Sequence, residues 1–424
     1  MRICVAGLWH LGSVVSACLT SAGHDVVGLD PDTNTTRTLA AGQPPLFEPG
    51  LEQLVQQGLA TGKLRFTSVA ADAVREAELV WITYDTPVDE DDHADVEVVR
   101  DHVASLFPLL VDGTLVVLSS QLPVGSTRLL EERYAASGRA ERVTFACSPE
   151  NLRLGKAIES FLQPARVVCG VRNDADRAKL SAALAPITAN IEWMSVESAE
   201  MTKHALNAFL ATSVAFINEI AVVCEAAGAD AKEVERALKS DPRIGPRAYL
   251  SPGGAFAGGT LARDIAYLSA IRPLPLISSV KTSNDAHKSW AREKLQSVLG
   301  ELRGRTIAVW GLTYKPGTDT LRRSSSIELC RWLAAAGATV RAHDPAVKSL
   351  PPELASLIDL RSTADDAAHG ADAVVIATEW PDYRELAATA LPQDAIVIDA
   401  NRFVAGVLAG RTGIRYYTVG KGTP

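Results

Sequence analysis

Short apolar runs alternate with longer helix-length segments along the first half of the chain. A run that alternates in this way is typical of a parallel sheet whose strands are joined by crossover helices. The pattern therefore predicts an α/β domain over residues 1–196. Its β-rich runs stand at residues 3–6, 25–29, 79–83, 114–119, 142–147 and 166–170.

The character of the chain changes near Glu197. From there to about Gly228 the sequence has no Gly or Pro and is rich in Ala, Glu, Leu and Val. This predicts one long helix of roughly 45 Å at 1.5 Å per residue, with Gly228 as its stop signal. A Gly/Pro-rich loop over 241–259 and further helix follow, so we predict a central helical domain over 197–302.

Alternation restarts at residue 306 and continues to the end of the chain. Apolar runs stand at 306–310, 339–342, 373–378 and 395–399. The pattern predicts a second, shorter α/β domain over 303–424. The chain length of 424 residues by itself suggests two or three domains, at roughly 100–200 residues each.

Composition and charge narrow the class of protein. Hydrophobic residues make up 47% and charged residues 22%, an ordinary soluble balance, and the net charge of −8 disfavours a nucleic-acid partner. No uninterrupted apolar run reaches roughly 18 residues, and the first strand starts almost at residue 1, so we predict neither membrane span nor signal peptide. The six cysteines are scattered without metal-ligand spacing, which predicts no metal site and a reducing, cytoplasmic compartment.

A glycine turn follows the first apolar run. Gly7 permits a tight turn between strand and helix, and Gly12 permits close packing of that helix on the strand. The helix N-terminus would then receive a pyrophosphate. Asp30 closes the next strand, where a carboxylate binds both ribose hydroxyls and repels a 2′-phosphate, so the turn predicts NAD rather than NADP.

The fingerprint departs from G-x-G-x-x-G at its middle glycine, which is Trp9 here. Trp9 must therefore point away from the pyrophosphate or reshape the turn. A turn that binds no nucleotide is the alternative, but strand, helix and acid together favour a dinucleotide. We predict two Rossmann-type domains with parallel sheets, connected by a long central helix. The cofactor-binding residues predicted at the turn are Gly7, Trp9, His10, Leu11, Gly12 and Asp30.

Several separate motifs resemble the UDP-glucose/GDP-mannose dehydrogenase family in order and spacing. The resemblance covers nearly the full chain. Its motifs are Tyr84-Asp-Thr86-Pro87, Pro123-Val-Gly125-Ser-Thr127, Ser148-Pro-Glu150-Asn-Leu152, Lys203-His-Ala-Leu-Asn207, the loop from Pro252 to Asp264, Gly311-Leu-Thr-Tyr-Lys315-Pro, and Thr318-Asp319 with Arg322.

The resemblance implies an NAD-dependent oxidoreductase that acts on a nucleotide-sugar. In this family the N-terminal domain binds NAD, the C-terminal domain binds the nucleotide of the sugar donor, and the central helix typically builds a dimer. The usual reaction takes the sugar C6 alcohol to a carboxylate with two NAD, through a thioester on a loop cysteine. The expected partners are therefore a nucleotide-sugar, most simply a UDP-sugar, and further copies of the chain.

Two positions on the long helix are candidate catalytic residues. Lys203 and Asn207 are four residues apart and share one helical face, where they could stabilise an alkoxide or polarise a water. The alternative is a solvated lysine and an incidental asparagine. The apolar residues around them favour a functional role.

Two acids are candidate catalytic residues by the same resemblance. Asp264 matches the loop aspartate that positions a catalytic water or base, and it is also interpreted as the N-cap of a helix that begins near Ile265. Glu150 follows the carboxyl end of a strand, where sites of α/β proteins lie, and matches a general-base or water-holding glutamate. The alternative for Glu150 is a surface residue.

Further binding positions follow from the resemblance. Lys315 and Arg322 match residues that contact the diphosphate, and Tyr249 and Leu250 match residues that embrace the nucleotide or sugar. Leu152 and Gly258 fall within substrate-binding motifs. The remaining cofactor-binding candidates are Thr86, Gln121 and Arg263.

Three departures from the family pattern fall on the second half of its reaction. Thr260 stands where the loop cysteine is expected, Arg263 replaces a lysine, and Gln121 replaces a threonine that helps to hold the hydrolytic water. A threonine hydroxyl without an adjacent base is a poor nucleophile, so the thioester route is doubtful and Thr260 becomes a catalytic candidate of uncertain chemistry.

The departures leave several reactions open. The sequence favours oxidation of the nucleotide-sugar alcohol that stops at the carbonyl. The alternatives are an epimerisation through transient oxidation by tightly bound NAD, a full 6-dehydrogenase that hydrates the aldehyde directly, and a silent nucleotide-sugar-binding protein. Because Lys203, Asn207 and Asp264 are retained, the silent protein is disfavoured.

Overall fold

The computed structural model describes residues 1–89, 94–139, 142–150, 152–257 and 259–422. Two compact units make up the chain, Met1–Leu206 and Asn207–Pro424. The substrate-binding candidate Gly258 lies outside the described residues. Each unit is built around its own parallel sheet.

The first unit is an eight-stranded sheet with helices between its strands. Its strands are Arg2–Ala6 (β1), Asp25–Leu29 (β2), Leu64–Thr67 (β3), Leu79–Ile82 (β4), Leu115–Leu118 (β5), Thr144–Cys147 (β6), Val167–Gly170 (β7) and Ile191–Met194 (β8). Its helices are His10–Ser21 (α1), Thr33–Ala40 (α2), Leu51–Ala60 (α3), Ala70–Val74 (α4), Val96–Leu106 (α5), Ser126–Ala136 (α6), Ala157–Leu162 (α7) and Asp174–Leu184 (α8), with a 3₁₀ turn at Phe107–Leu109.

The strand order β3-β2-β1-β4-β5-β6-β7-β8 reverses direction between β1 and β4. Ligands of doubly wound sheets bind at the carboxyl ends of strands beside such a reversal, and the glycine turn follows β1 there. The described neighbours pair in parallel except β6 and β7, where Cys147 stands antiparallel to Gly170. The β6–β7 pair is thus an antiparallel exception within a sheet whose other described neighbours are parallel, as predicted.

The apolar pattern missed the two edge strands of the first sheet. Strand β3 has one buried residue among its four, and β8 has none. Because an edge strand is only partly covered, it lacks the continuous apolar run that marks a buried parallel strand. The interior strands β4 and β5, by contrast, are buried throughout and were predicted.

The predicted long helix is present as α9, Val196–Ala227, and the division between the two units falls within it. The second unit continues with the helices Ala231–Ser240 (α10), Thr260–Ile271 (α11), Pro275–His287 (α12), Trp290–Leu299 (α13), Ser325–Ala335 (α14), Pro352–Ala355 (α15), Ala364–Ala368 (α16), Asp382–Thr389 (α17) and Ala405–Leu408 (α18).

The second sheet repeats the order of the first, as β11-β10-β9-β12-β13-β14, with all its paired neighbours parallel. Its strands are Thr306–Trp310 (β9), Thr339–His343 (β10), Ile358–Leu360 (β11), Ala373–Ile376 (β12), Ile396–Ile398 (β13) and Arg415–Tyr417 (β14). The three-residue strands β11 and β14 lie at the sheet edges and were not predicted. Both halves of the fold-class prediction, two Rossmann-type sheets and a long central helix, are confirmed.

Among the described helices, α9 alone is long and apolar enough to cross a membrane by length and composition. Its most apolar 18-residue window has a mean hydropathy of 1.7, and 44% of that window is buried within the protein. The core helices of soluble proteins pass the same test, so the finding does not place α9 in a membrane.

Candidate functional site

The glycine turn after β1 has the geometry that its residues predict. Gly7 adopts a φ of +97°, and a Cβ added at Gly12 would lie 1.7 Å from the Gly7 carbonyl oxygen. The Thr83 hydroxyl donates to that same oxygen at 2.7 Å. Both glycines are therefore required, one by backbone conformation and one by close packing.

Trp9 is the residue before the first turn of α1. Its side chain is 48% exposed, and its extended backbone leads into α1. The next residue, His10, is the first of α1, and its Nε2 lies 2.9 Å from Oε2 of the buried Glu48. Leu11 is half-buried. The bulky substitution thus leaves the N-terminus of α1 intact as a candidate pyrophosphate site.

Glu48 is a residue of this region that the sequence interpretation missed. Its carboxylate accepts hydrogen bonds from the backbone N–H groups of Gly155 and Ala157, both at 2.8 Å, besides facing His10. Gly155 and Ala157 lie more than 100 residues after Glu48 in the chain, so no local spacing could have indicated this contact. Glu48 fixes the first turn of α1 to the start of α7.

Asp30 closes β2 beside the turn. Its Oδ2 accepts from the Leu8 N–H at 2.8 Å, and its Oδ1 accepts from the Asp32 N–H at 3.0 Å. Each carboxylate oxygen can accept a second hydrogen bond, and Asp30 is half-buried, not sealed. The turn, the helix N-terminus and this acid together fit NAD. The carboxylate of Asp30 would accept hydrogen bonds from the ribose hydroxyls of NAD.

We expect Asp30→Ala to narrow the preference for NAD over NADP. The variant removes two charge-assisted acceptors and the repulsion of a 2′-phosphate, so NAD affinity should fall by about tenfold or more while NADP affinity changes little. Titration calorimetry with both cofactors measures this. Asp30→Asn is the matched control, since it keeps an acceptor for Leu8 without the charge; equal binding of both cofactors by the unaltered protein would refute the assignment.

Lys203 and Glu150 form a shielded pair in the first unit. The Lys203 Nζ donates to Glu150 Oε1 at 3.0 Å and to the Glu150 carbonyl oxygen at 2.8 Å. Only 11% of the Lys203 side chain and 21% of the Glu150 side chain are exposed. The other carboxylate oxygen of Glu150 accepts from the N–H of the half-buried Leu152 at 2.8 Å. Neither the solvated lysine nor the surface glutamate describes these residues.

A buried glutamate one turn before Lys203 anchors the helix beneath the pair. The Glu200 carboxylate accepts from the Gly125 N–H at 2.6 Å, the Thr127 N–H at 2.9 Å and the Thr127 hydroxyl at 2.6 Å. It therefore ties α9 to the N-terminus of α6, where a carboxylate is favourable. The sequence interpretation missed this residue, although the Pro123–Thr127 motif it holds had been singled out.

Gln121, Glu150 and Lys203 line one small cavity of about 20 Å³ in the first unit. That volume suits about one water molecule, and the lining offers polar partners for it. Thr86 is buried, and its hydroxyl donates to the Gln121 carbonyl oxygen at 2.7 Å. These four predicted residues are thus brought together from separate segments of the chain.

Asn207 and Asp264 form a second pair, within the second unit. The Asn207 Nδ2 donates to Asp264 Oδ2, and both residues are buried. The interpretation of Asp264 as a helix N-cap is wrong, because α11 begins at Thr260 and Asp264 is its fifth residue. Gly259, at a φ of +110°, allows the chain to enter the helix five residues earlier than expected.

The start of α11 carries Thr260, which the family resemblance places at the position of the loop cysteine. Thr260 is exposed, and Arg263 lies half-buried one turn further along the helix. All six cysteines are free and buried, as their apolar surroundings predict. Burial raises the pKa of Cys4, Cys18 and Cys330 to about 12, so these thiols are poor nucleophiles.

A cavity of about 490 Å³ opens in the second unit, within the usual range for small-molecule sites. Lys315, Ser324 and Tyr249 line it, and Ser324 caps the N-terminus of α14, so one wall combines a lysine with a helix N-terminus. Arg322 is exposed and stands outside the lining formed by the described residues. Leu250 lines a neighbouring cavity of about 660 Å³, which shares Tyr249.

The second sheet does not offer a second dinucleotide turn. Gly311 repeats the φ of Gly7 at +96°, and Asp344 repeats Asp30 by accepting from the Leu312 N–H at 2.7 Å. Asp344, however, is only 2% exposed and also accepts from the Trp380 indole at 3.1 Å. A ribose hydroxyl cannot reach it, so a ligand of this sheet must bind differently.

Fold and site together define a dinucleotide-dependent oxidoreductase with a separate ligand cavity in its second Rossmann-type sheet. The family models of UDP-glucose/GDP-mannose dehydrogenases match the chain in three parts: the NAD-binding domain at residues 1–188, the central domain at 197–286 and the UDP-binding domain at 308–405. The chain belongs to this family, and it is an NAD-dependent oxidoreductase of the nucleotide-sugar dehydrogenase class.

Relatives of known name agree over the whole chain. UDP-glucose 6-dehydrogenases from Pseudomonas aeruginosa and Rhizobium meliloti are 33% and 34% identical, each over 99% of this chain and at least 98% of the relative. The solved UDP-glucose dehydrogenase of Pyrobaculum islandicum superposes with a TM-score of 0.88 at 29% identity, covering 99% of this chain and 98% of that one.

Proposed function

We propose that this protein oxidises the C6 alcohol of a nucleotide-sugar to the carbonyl and stops there. The alcohol loses a hydride to NAD and a proton to the enzyme or solvent, which leaves an aldehyde, NADH and H⁺. The observation that carries the proposal is that Thr260 is exposed at the start of α11 while all six cysteines are buried elsewhere. The family resemblance assigns Thr260 to the position of the nucleophilic cysteine. A threonine hydroxyl without a base cannot efficiently trap the aldehyde.

The residues that would serve hydride removal are retained. We assign Lys203 to stabilise the oxygen of the reacting alcohol, since its ammonium is shielded from water and held by Glu150. Asn207, one turn further along α9, is assigned to orient the same oxygen, with the buried Asp264 fixing its amide. Bound NAD supplies the hydride acceptor, and Gly7, Gly12 and Asp30 would hold it.

Full oxidation without a covalent intermediate is the second candidate. The cavity of about 20 Å³ beside Gln121, Glu150 and Lys203 favours it, because a water held there would have a carboxylate as base. Direct hydration of the aldehyde followed by a second hydride loss would then give the acid. Oxidation of a secondary alcohol on a ring carbon, with the hydride returned from NADH to the opposite face of that carbon, would instead give epimerisation.

The nucleotide is proposed to be UDP, which the UDP-binding family model over residues 308–405 supports. A panel of UDP- and GDP-sugars incubated with NAD tests this, with NADH absorbance as the readout. UDP-glucose should give the largest rate, since the named relatives at 33% and 34% identity are UDP-glucose 6-dehydrogenases. Turnover of GDP-sugars alone would contradict the proposal.

We expect Arg322→Ala to weaken nucleotide-sugar binding more than NAD binding. Arg322 is assigned to the diphosphate, and loss of one charge-assisted hydrogen bond costs about 1.5–3 kcal/mol, or roughly 10- to 100-fold in affinity. Calorimetry with UDP and with NAD separates the two effects. The exposed Arg331 on α14 provides the control, Arg331→Ala; a change confined to NAD affinity would mean that the two domains do not divide the ligands as proposed.

We also propose domain boundaries, an oligomeric state and a cellular location for this protein. Boundaries at 196 and 302 are supported by the gaps between the family models at 188–197 and 286–308. A homodimer or larger oligomer through α9 is supported by Phe209, Phe216 and Val223, which stand seven residues apart, each at least 47% exposed. Six free, buried cysteines support a reducing, cytoplasmic location.

A further inference from the structure

The backbone of the loop before α11 is held by side chains from separate elements of the second unit. The Gly254 N–H donates to Asn401 Oδ1 at 2.7 Å, and the Gly253 N–H donates to Asn218 Oδ1 at 3.0 Å. The Gly253 carbonyl oxygen accepts from His287 Nε2 at 2.8 Å. Two consecutive peptide groups are thus fixed by three side chains, and we call this arrangement the loop clamp.

Asn401 packs directly on the loop. A Cβ added at Gly253 would lie 2.2 Å from Asn401 Oδ1, so only glycine allows this approach. Asn218 and His287 hold the loop from the helices α9 and α12. Asn401 differs in its origin, because it follows β13 at the carboxyl edge of the second sheet.

Asn401 also faces the cavity of about 490 Å³ in the second unit, which we take as the site of the proposed nucleotide and call the nucleotide cavity. It lines that cavity together with Ala400, Glu379 and Tyr249, and its side chain is exposed there. Burial raises the pKa of Glu379, with Asp399 adding to the shift, while the neighbouring Asn401 side chain lowers it. His287 of the loop clamp also lines this cavity but is half-buried, so Asn401 is the exposed clamp residue that a ligand in the cavity would cover.

Because of its position, Asn401 can transmit the effect of ligand binding in the cavity to the loop. A nucleotide in the cavity would exclude water from the Asn401–Gly254 hydrogen bond, which strengthens such a bond. Gly254 stands six residues before Thr260, where α11 begins and leads to Asp264. The backbone conformation at Gly254 therefore affects how the chain leads into α11.

We propose that Asn401 is a positioning residue that couples occupancy of the nucleotide cavity to order in the active-site loop. The inference rests on the proposed function, because it takes the cavity to bind the nucleotide. It assigns to Asn401 no contact with the reacting atoms. Asn218 and His287 keep the loop folded in the free protein, and Asn401 adds the part that depends on the ligand.

Hydrogen exchange of peptides covering residues 250–257, with and without UDP, tests the coupling. UDP should slow exchange in the unaltered protein by about tenfold or more, and Asn401→Ala should lose most of that protection. Asn401→Asp should restore it, because a carboxylate oxygen also accepts from the Gly254 N–H. UDP affinity should fall only about three- to tenfold in Asn401→Ala, as for loss of one neutral hydrogen bond.

The control is Asn190→Ala, which removes an exposed asparagine from the first unit and should leave loop protection unchanged. If UDP binds the unaltered protein and Asn401→Ala protects the loop equally well, the coupling is wrong although the proposed nucleotide stands. If Asn401→Ala exchanges faster even without UDP and gains no less protection from it, Asn401 is merely structural. Absence of UDP binding to the unaltered protein would overturn the proposed function and this inference together.

Discussion

Replacing Lys203 with methionine should reduce turnover by about 10²- to 10³-fold while NAD binding persists. The ammonium of Lys203 is the shielded cation assigned to the reacting oxygen, and removing one preorganised donor of this kind costs about 2.7–4 kcal/mol of transition-state stabilisation. Methionine keeps much of the side-chain volume and removes the charge. Steady-state rates of NADH formation and calorimetry with NAD measure the two effects separately.

A separate control distinguishes the loss of the Lys203–Glu150 ion pair from the loss of the catalytic ammonium group. Lys294 and Glu225 form a comparable pair at 2.9 Å, with 16% of each side chain exposed, away from the assigned residues. Lys294→Met should therefore leave turnover within about threefold of the unaltered protein, since it costs stability and not chemistry. Near-normal turnover of Lys203→Met would remove Lys203 from the catalytic site, whatever Lys294→Met does.

Replacing Thr260 with cysteine should create chemistry that the natural chain lacks. A thiolate at this position can add to the aldehyde, and hydride loss from the resulting thiohemiacetal gives a thioester that water can open. Thr260 is exposed, so the new thiol would be accessible. We expect a small share of uronic acid and an acyl adduct on intact-protein mass spectra, with most product still the aldehyde.

The gain should be small because two other departures remain. Thr260→Cys leaves unchanged Arg263 and Gln121, which the resemblance places where the family has a lysine and a water-holding threonine. Thr260→Ser is the matched control, since it frees a smaller hydroxyl without supplying a thiol, and it should give neither adduct nor acid. Acid formation by Thr260→Ser at the level of Thr260→Cys would show that thiol chemistry is not what limits the reaction.

Local sequence was enough to predict the cofactor turn. Gly7, Gly12 and Asp30 lie within one strand–helix–strand unit, where backbone conformation and close packing dictate the residue types. The interior strands were equally predictable from the sequence, because burial on both faces makes a strand continuously apolar. The edge strands β3 and β8 carry no such run, and they were missed for that reason.

Contacts between side chains that are far apart along the chain could not be predicted from the sequence. Lys203 and Glu150 are 53 residues apart, and Asn207 and Asp264 are 57 apart, so only the folded chain shows that each lysine or amide meets an acid. The start of α11 was misplaced because the glycines before it were interpreted as a loop that continues to Asp264, whereas Gly259 is the N-cap and the helix begins at Thr260. The sealed Asp344 likewise has the same strand-end position as Asp30, and its burial depends on Trp380 from another strand connection.

The number of NADH molecules formed per nucleotide-sugar consumed tests the central claim most directly. The unaltered protein is incubated with NAD and the UDP-sugar it oxidises fastest, NADH is counted by absorbance, and the product is identified by mass. An enzyme with Thr260 in place of the nucleophilic cysteine should release at most one NADH and an aldehyde, or none if the hydride returns to the sugar. Two NADH and a uronic acid would contradict the claim and favour direct hydration with Glu150 as the base.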